Sequence, residues 1–260
     1  KKADVVIMVL GEYGFQSGEG RSRTKLDLPG FQQELLEEVY KVNKNIVLVL
    51  MNGRPLVLNW ADAHIPVIVE SWHLGTQSGN AIAQVLYGDY NPSGKLPMSF
   101  PRSVGQMPLY YNHKSTGRPG ADGGDTGSVF WSHYGDEKNT PLYPFGYGLS
   151  YTNFEYSEIK LSSDVFNSNG QIEASVILKN SGKVKGKEVV QLYVHDQFAS
   201  VTRPVRELKG FELVELAAGE SKKISFTIGP EMLEFYSANR KWEAEPGTFT
   251  IYIGTNSATK

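Results

Sequence analysis

Residues 5–10 form an unbroken apolar run closed by Gly11. Such a run is too uniform for a strand with one wet face, and it predicts a strand covered on both faces of a parallel sheet. After a polar, glycine-rich stretch, Pro29-Gly30 opens a segment with apolar residues at Phe31, Leu35, Leu36, Val39 and Tyr40, the spacing of a helix with one buried face. Residues 46–51 read as a second apolar strand stopped by Asn52-Gly53, and residues 66–69 as a third running into Glu70-Ser71-Trp72. Residues 77–87 predict another helix, with Ala81, Ile82, Val85 and Leu86 on one side and Gly88 just past its end. Strands and helices therefore alternate over residues 1–102, which makes this part α/β with a parallel sheet.

The pattern then dissolves into Pro, Gly, Tyr and Asp, and residues 103–150 are expected to be a linker that wraps over other structure, being too long for a simple connection. Within it, residues 117–127 have little apolar surface and predict a mobile tip. From residue 151 onward the period changes to two: runs at 156–161, 171–178, 189–194, 206–216, 222–228 and 249–253 are separated by Asn180-Ser181-Gly182, Ala218-Gly219-Glu220 and Glu245-Pro246-Gly247. A count close to seven strands predicts an immunoglobulin-like β-sandwich over residues 151–260. The fold class expected for the whole chain is α/β followed by all-β.

Composition narrows the partners. The 260 residues suit two domains, and a net charge of −2 lacks the basic excess that nucleic acid or an anionic membrane surface requires. No stretch of about 18 apolar residues is present, so no membrane span is expected. The absence of cysteine excludes disulfides and thiolate metal sites, and the five histidines are scattered without ligand-pair spacing, so neither metal nor cofactor is expected. The start at Lys1-Lys2-Ala3-Asp4 leads straight into a strand, which reads as a chain cut from something longer. Composition leaves the oligomeric state open.

Candidate chemistry begins in the stretch from Gly11 to Arg23, which follows an apolar strand. In open α/β sheets the carboxyl ends of strands are where ligands bind. Glu12 stands at that edge, rigidly placed. Glu19 lies seven residues on, between Gly18 and Gly20, whose permissive backbone lets a carboxylate reach outward, and Arg21 and Arg23 can orient or charge-balance it. A Glu beside Gly and Arg is most often only a solvated loop residue. Trp72 and His73 share the strand-end position of Glu12 and are candidates to face the same cleft and bind substrate, with domain packing as the competing role. Trp131, with Phe130 and Tyr134, offers faces for stacking on sugars, although aromatic-rich wrapping segments more often pin themselves down. Tyr236 and Trp242 are expected to fill a core or an interface.

The stretch from Gly79 to Ala83, followed by the run from Leu86 to Pro101 with its Asn91-Pro92-Ser93-Gly94-Lys95-Leu96-Pro97, resembles the signature closing the α/β sandwich domain of glycoside hydrolase family 3. Tyr143-Pro144-Phe145-Gly146-Tyr147-Gly148-Leu149-Ser150-Tyr151 resembles the link that follows it. Arg203-Pro204 and Glu207-Leu208-Lys209-Gly210-Phe211 resemble the family's fibronectin type III-like domain. The chain resembles the bacterial periplasmic β-glucosidase branch, whose loop after the first strand also carries a Gly-Glu pair and a second Glu before Ser-Arg. The resemblance implies a double displacement on terminal β-D-glucosyl residues of β-glucosides or β-linked gluco-oligosaccharides. It implies an acid/base Glu from this domain and a nucleophilic Asp on an N-terminal (β/α)8 barrel that this sequence lacks. Trp60-Ala61-Asp62 runs in the wrong order for that nucleophile. The chain by itself is therefore expected to be inactive, and its location periplasmic or extracellular. Glu12 and Glu19 both match the acid/base region; the choice stays open, with a lean to Glu19 for its reach. The competing class is a non-catalytic carbohydrate-binding or scaffolding module. A flavodoxin-like cofactor protein is disfavoured because the glycines have neither Walker nor dinucleotide spacing.

Overall fold

The computed structural model describes residues 2–115, 117–119 and 130–260, so most of the tip expected at 117–127 lies outside the described residues. Three parallel strands, β1 (Val6–Gly11), β2 (Ile46–Met51) and β3 (Val67–Glu70), form a sheet in that order. They alternate with helices α1 (Gln32–Val42), α2 (Asn59–His64) and α3 (Ser78–Tyr87). Leu48, Val49 and Leu50 of β2 are fully buried, as expected of a central strand covered on both sides. The same expectation does not hold for β1: Val5, Ile7 and Val9 are 46, 49 and 55% exposed, because β1 is the sheet edge and that face is uncovered among the described residues. Met8, pointing the other way, joins Leu28, Leu36, Leu56 and Phe100 in the core. Helix α3 ends at Gly88, whose left-handed φ of 81° a Cβ would strain. Of its apolar residues, Ile82, Ala83, Val85 and Leu86 are half-buried, and Ala81 and Tyr87 are exposed.

The second half is a β-sandwich. One sheet pairs β6 (Ile172–Asn180) with β9 (Ser221–Ile228) on one edge and with the short β4 (Phe154–Tyr156) and β5 (Lys160–Leu161) along the other. The strand expected at 156–161 is thus two strands, separated at Ser157–Ile159. The other sheet has the order β12 (Phe249–Gly254), β7 (Gly186–Asp196), β8 (Glu207–Leu216). Ile172, Ala174, Val176 and Leu178 alternate into the core against Val190, Leu192 and Val194 of the facing sheet. A helical turn, α4 (Pro230–Leu233), and a hairpin of β10 (Phe235–Tyr236) with β11 (Trp242–Glu243) complete the domain. Tyr236 and Trp242 do not enter the core. They stack edge-on at 6.1 Å and stay 56 and 68% exposed, because the two-residue strands of this hairpin stand outside both packed sheets.

The wrapping segment explains a departure from the period-two pattern. Strand β7 is buried on both faces, since Gln191 and Tyr193, opposite its core face, are covered by residues of that segment. Gln191 Nε2 donates to the carbonyls of Gly146 (3.1 Å) and Thr255 (2.6 Å), and Tyr111 stacks on Phe145 at 4.2 Å beside Tyr193. Residues 96–100 meanwhile exchange backbone hydrogen bonds with residues 142–147, through Leu96, Phe100, Leu142 and Gly146. Across this junction Lys95 Nζ reaches both oxygens of Glu188 (3.2 and 2.9 Å) and the Gly148 carbonyl (3.1 Å), while the Tyr156 hydroxyl donates to Glu188 Oε1 at 3.1 Å. Lys95 and Glu188 are 11 and 4% exposed, so this ion pair joins the two domains out of water.

Removing one partner of such a pair strands a buried charge, which costs on the order of 3 kcal/mol, while replacing both with apolar residues recovers most of it. Lys95→Met is therefore expected to lower stability by about that amount in urea denaturation, and Lys95→Met with Glu188→Leu to regain most of the loss.

Candidate active site

Parallel register decides which residues meet. Gly11 pairs with Met51, and Leu50 with Glu70, so the three strands end level. Their continuations, Glu12, Asn52-Gly53-Arg54 and Ser71-Trp72-His73, share one edge of the sheet. Gly11 has a φ of 137°, and a Cβ there would overlap the Met51 carbonyl oxygen, so only glycine lets the strands close up at this point. The Gln32 amide of α1 brackets the same residue, accepting from Gly11 N–H (2.7 Å) and donating to its carbonyl (2.8 Å). The backbone N–H of Glu12 then donates to the Met51 carbonyl at 2.8 Å, which turns its side chain inward.

The Glu12 side chain is fully buried and ion-paired with two arginines: Arg23 Nη1 lies 2.8 Å and Arg54 Nε 3.0 Å from Oε1. The Gly53 N–H and Arg54 Nε also donate to Oε2, at 3.3 and 3.2 Å. Burial alone would raise the Glu12 pKa; the hydrogen bonds from Arg23, Gly53 and Arg54 outweigh it and hold the carboxyl below the usual range. At neutral pH Glu12 is ionised and enclosed. It has no proton to give.

Glu19 has the opposite setting. Gly18 to Arg21 is a tight turn closed by a hydrogen bond from Arg21 N–H to the Gly18 carbonyl (3.2 Å), with Gly20 at the φ of 67° that the third turn position of a type II turn needs. Gly18 itself has a φ of 118°. Glu19 sits at the corner, exposed, and its side chain makes no hydrogen bond or ion pair among the described residues. Arg21 is also exposed, and it is its carbonyl that is engaged. Arg23, expected as a partner for Glu19, pairs with Glu12 instead.

Arg54 was not singled out by its sequence position, and it ties these parts together. Beyond Glu12, its Nη2 donates to the carbonyls of Gln16 (2.6 Å) and Arg21 (2.8 Å). The sequence signal available was a Gly-Arg-Pro turn directly after a buried strand. A Cβ on Gly53 would overlap the Ser17 hydroxyl and come within 3.2 Å of His73 Nε2, so Glu12, Ser17, Arg23, Gly53, Arg54 and His73 form one cluster. Trp72 turns away from it: held at a left-handed φ of 51°, it packs against Phe100 at 5.8 Å and into the core. Trp131 is 46% exposed and, with Phe130, Arg118 and Pro119, lines a shallow groove that shares no residue with the Glu12 cluster.

A third carboxyl, Glu70, accepts from Trp72 N–H (2.9 Å) and Asn52 Nδ2 (3.2 Å). Its pKa is pushed up to about 7 by burial, against those two hydrogen bonds. A folded-state value above the ordinary 4.5 means that the fold loses stability as pH climbs from there towards 7, and that the loss is complete above 7. The full penalty is about 3 kcal/mol. The Tm of Glu70→Gln is expected to hold between pH 5 and pH 8 (roughly the span of the titration) while the parent's falls. A parallel pH dependence in both would show that Glu70 does not titrate in this window.

Comparison with known proteins agrees along the chain. Residues 1–151 match the glycosyl hydrolase family 3 C-terminal domain, and residues 188–257 a fibronectin type III-like domain. A periplasmic β-glucosidase of Salmonella typhimurium is 50% identical over 99% of this chain and 34% of its own length. A β-xylosidase of Formosa agariphila is 45% identical over 99% of this chain, again 34% of its own length. The β-glucosidase of Listeria innocua crystallised with glucose superposes with a TM-score of 0.93 at 41% identity, covering 99% of this chain and 36% of that one. The chain thus spans about a third of the length of the relatives it matches. With the family model covering more than half of the residues and relatives aligned along 99% of this chain, it belongs to glycoside hydrolase family 3.

Proposed function

We propose that this chain is the part of a retaining β-glucosidase that contributes the acid/base carboxylate, and that this carboxylate is Glu19. The observation that carries the reading is the contrast between the two loop carboxyls: Glu12 is enclosed and held ionised by Arg23 and Arg54, while Glu19 is exposed at the corner of a tight turn. An acid/base residue must reach the glycosidic oxygen and exchange protons with it, which a carboxylate locked in two ion pairs cannot do. Glu12 acts instead as a structural anchor. The domains run over residues 1–102 and 151–260, with 103–150 as the wrap between them.

A retaining glycosidase needs a second carboxyl about 5–5.5 Å away as nucleophile. In this reading it is an aspartate on an N-terminal (β/α)8 barrel, and these 260 residues are inactive alone. The nucleophile attacks the anomeric carbon as Glu19 protonates the leaving oxygen; Glu19, now a carboxylate, takes a proton from the water that releases the sugar. The substrates are β-glucosides or β-linked gluco-oligosaccharides with a terminal β-D-glucosyl residue, and the compartment is periplasmic or extracellular. The names of the Salmonella and Listeria relatives support glucose as the sugar.

In the full-length enzyme, Glu19→Ala is expected to keep glycosylation by 2,4-dinitrophenyl β-glucoside, whose leaving group needs no proton. Deglycosylation should slow by about 10²–10⁴ and be restored by azide, with β-glucosyl azide as product. Glu12→Ala should lose activity on all substrates without azide rescue. Azide product from Glu12→Ala and not from Glu19→Ala would reverse the assignment, and tight sugar binding by the 260-residue chain alone would favour the binding-module reading.

A further inference from the structure

We propose that Arg54 is a positioning residue for the acid/base turn, gripping the chain on both sides of Glu19 and tying it to the buried Glu12. This inference rests on the assignment of Glu19. Nη2 of Arg54 donates to the Gln16 carbonyl three residues before Glu19 and to the Arg21 carbonyl two residues after it, at 2.6 and 2.8 Å. Its Nε faces Glu12. One guanidinium therefore closes the base of the loop as a staple closes a ring, and residues 17–20 form the arc between its two contacts.

The grip itself is built from below. Arg54 follows β2 directly, and its carbonyl accepts from Asn52 Nδ2 at 2.9 Å, so the backbone that carries the guanidinium is fixed to the buried end of the strand. Pro55 and Leu56, which follow, are buried. The side chain is 19% exposed, and its partners are one ionised carboxylate and two carbonyls, all acceptors. That set needs donors fanned in one plane, which a guanidinium supplies and a single ammonium does not. Within that arc one backbone hydrogen bond closes the turn, but both neighbours of Glu19 are glycines at positive φ, with no heavy atom near where a Cβ would lie. Without the staple, Glu19 would sample a wide arc, and misplacement by about 1 Å can cost on the order of 10²-fold in rate.

The test uses the full-length enzyme and a series of aryl β-glucosides whose leaving groups differ in basicity, read per active site titrated with 2,4-dinitrophenyl 2-deoxy-2-fluoro-β-glucoside. Arg54→Met is expected to lower kcat/KM about 10²-fold for phenols that need protonation and only a few-fold for 2,4-dinitrophenol, so that the dependence on leaving-group basicity steepens. Arg54→Lys, which keeps a cation beside Glu12, guards against loss of folding in the first variant and should show the same steepening. A uniform loss across the series per titrated site in both variants, or no loss, would overturn the inference. Glu19→Ala run in parallel separates the two ideas. If it lacks the steep dependence, the assignment of Glu19 has failed; if it has the dependence and the Arg54 variants do not, only the staple has failed.

Discussion

The site depends on one buried anion. A carboxylate out of water is tolerated only when it is paired and hydrogen-bonded, and Glu12 meets that requirement with Arg23, Arg54 and the Gly53 N–H. These partners arrive from two separate parts of the chain: Arg23 from the far side of the loop, Gly53 and Arg54 from the turn after β2. Satisfying the charge therefore fixes their relative positions. The loop is then shaped as a by-product, since the arginine that neutralises Glu12 has donors left over and spends them on the loop's own carbonyls.

Three carboxyls at one sheet edge show how much environment decides. Glu12 is driven below the usual range by the cations and N–H donors around it, Glu70 is pushed up to about 7 by burial with only two neutral donors, and Glu19 projects from a turn. The covalent group is the same in all three. What differs is burial and whether it is matched by positive charge, which decides if a carboxyl is a fixed counter-ion, a group that titrates near neutrality, or an exposed side chain without a partner among the described residues.

A second buried ion pair fastens the sandwich to the α/β half. Lys95 comes from the α/β half, Glu188 and Tyr156 from the sandwich, and Gly148 from the wrap, so a single ionic contact reports on three segments at once. The double burial of β7 has the same origin. A strand that would otherwise have one wet face is sealed by Tyr111, Phe145 and Gly146, and the polar groups on that side, such as Gln191, are satisfied within the junction.

Periodicity alone was enough to read the two architectures, because strands of period two and helices of period 3.6 bury their apolar faces by local geometry. The second strand was legible residue for residue, and the loop carrying Glu12 and Glu19 stood out by its glycines. The short hairpin at Phe235–Glu243 and the helix at Asn59–His64 were not legible, being too short to show a period. Nor was the openness of β1, since an apolar run says that a strand can be covered, not that it is. Which of the two glutamates is enclosed and which is exposed was decided only in three dimensions. Sequence set both beside glycine and arginine, but which arginine neutralises which carboxylate depends on parallel register bringing residue 54 next to residue 12 across the sheet. That pairing spans 42 residues and leaves no local trace in the chain.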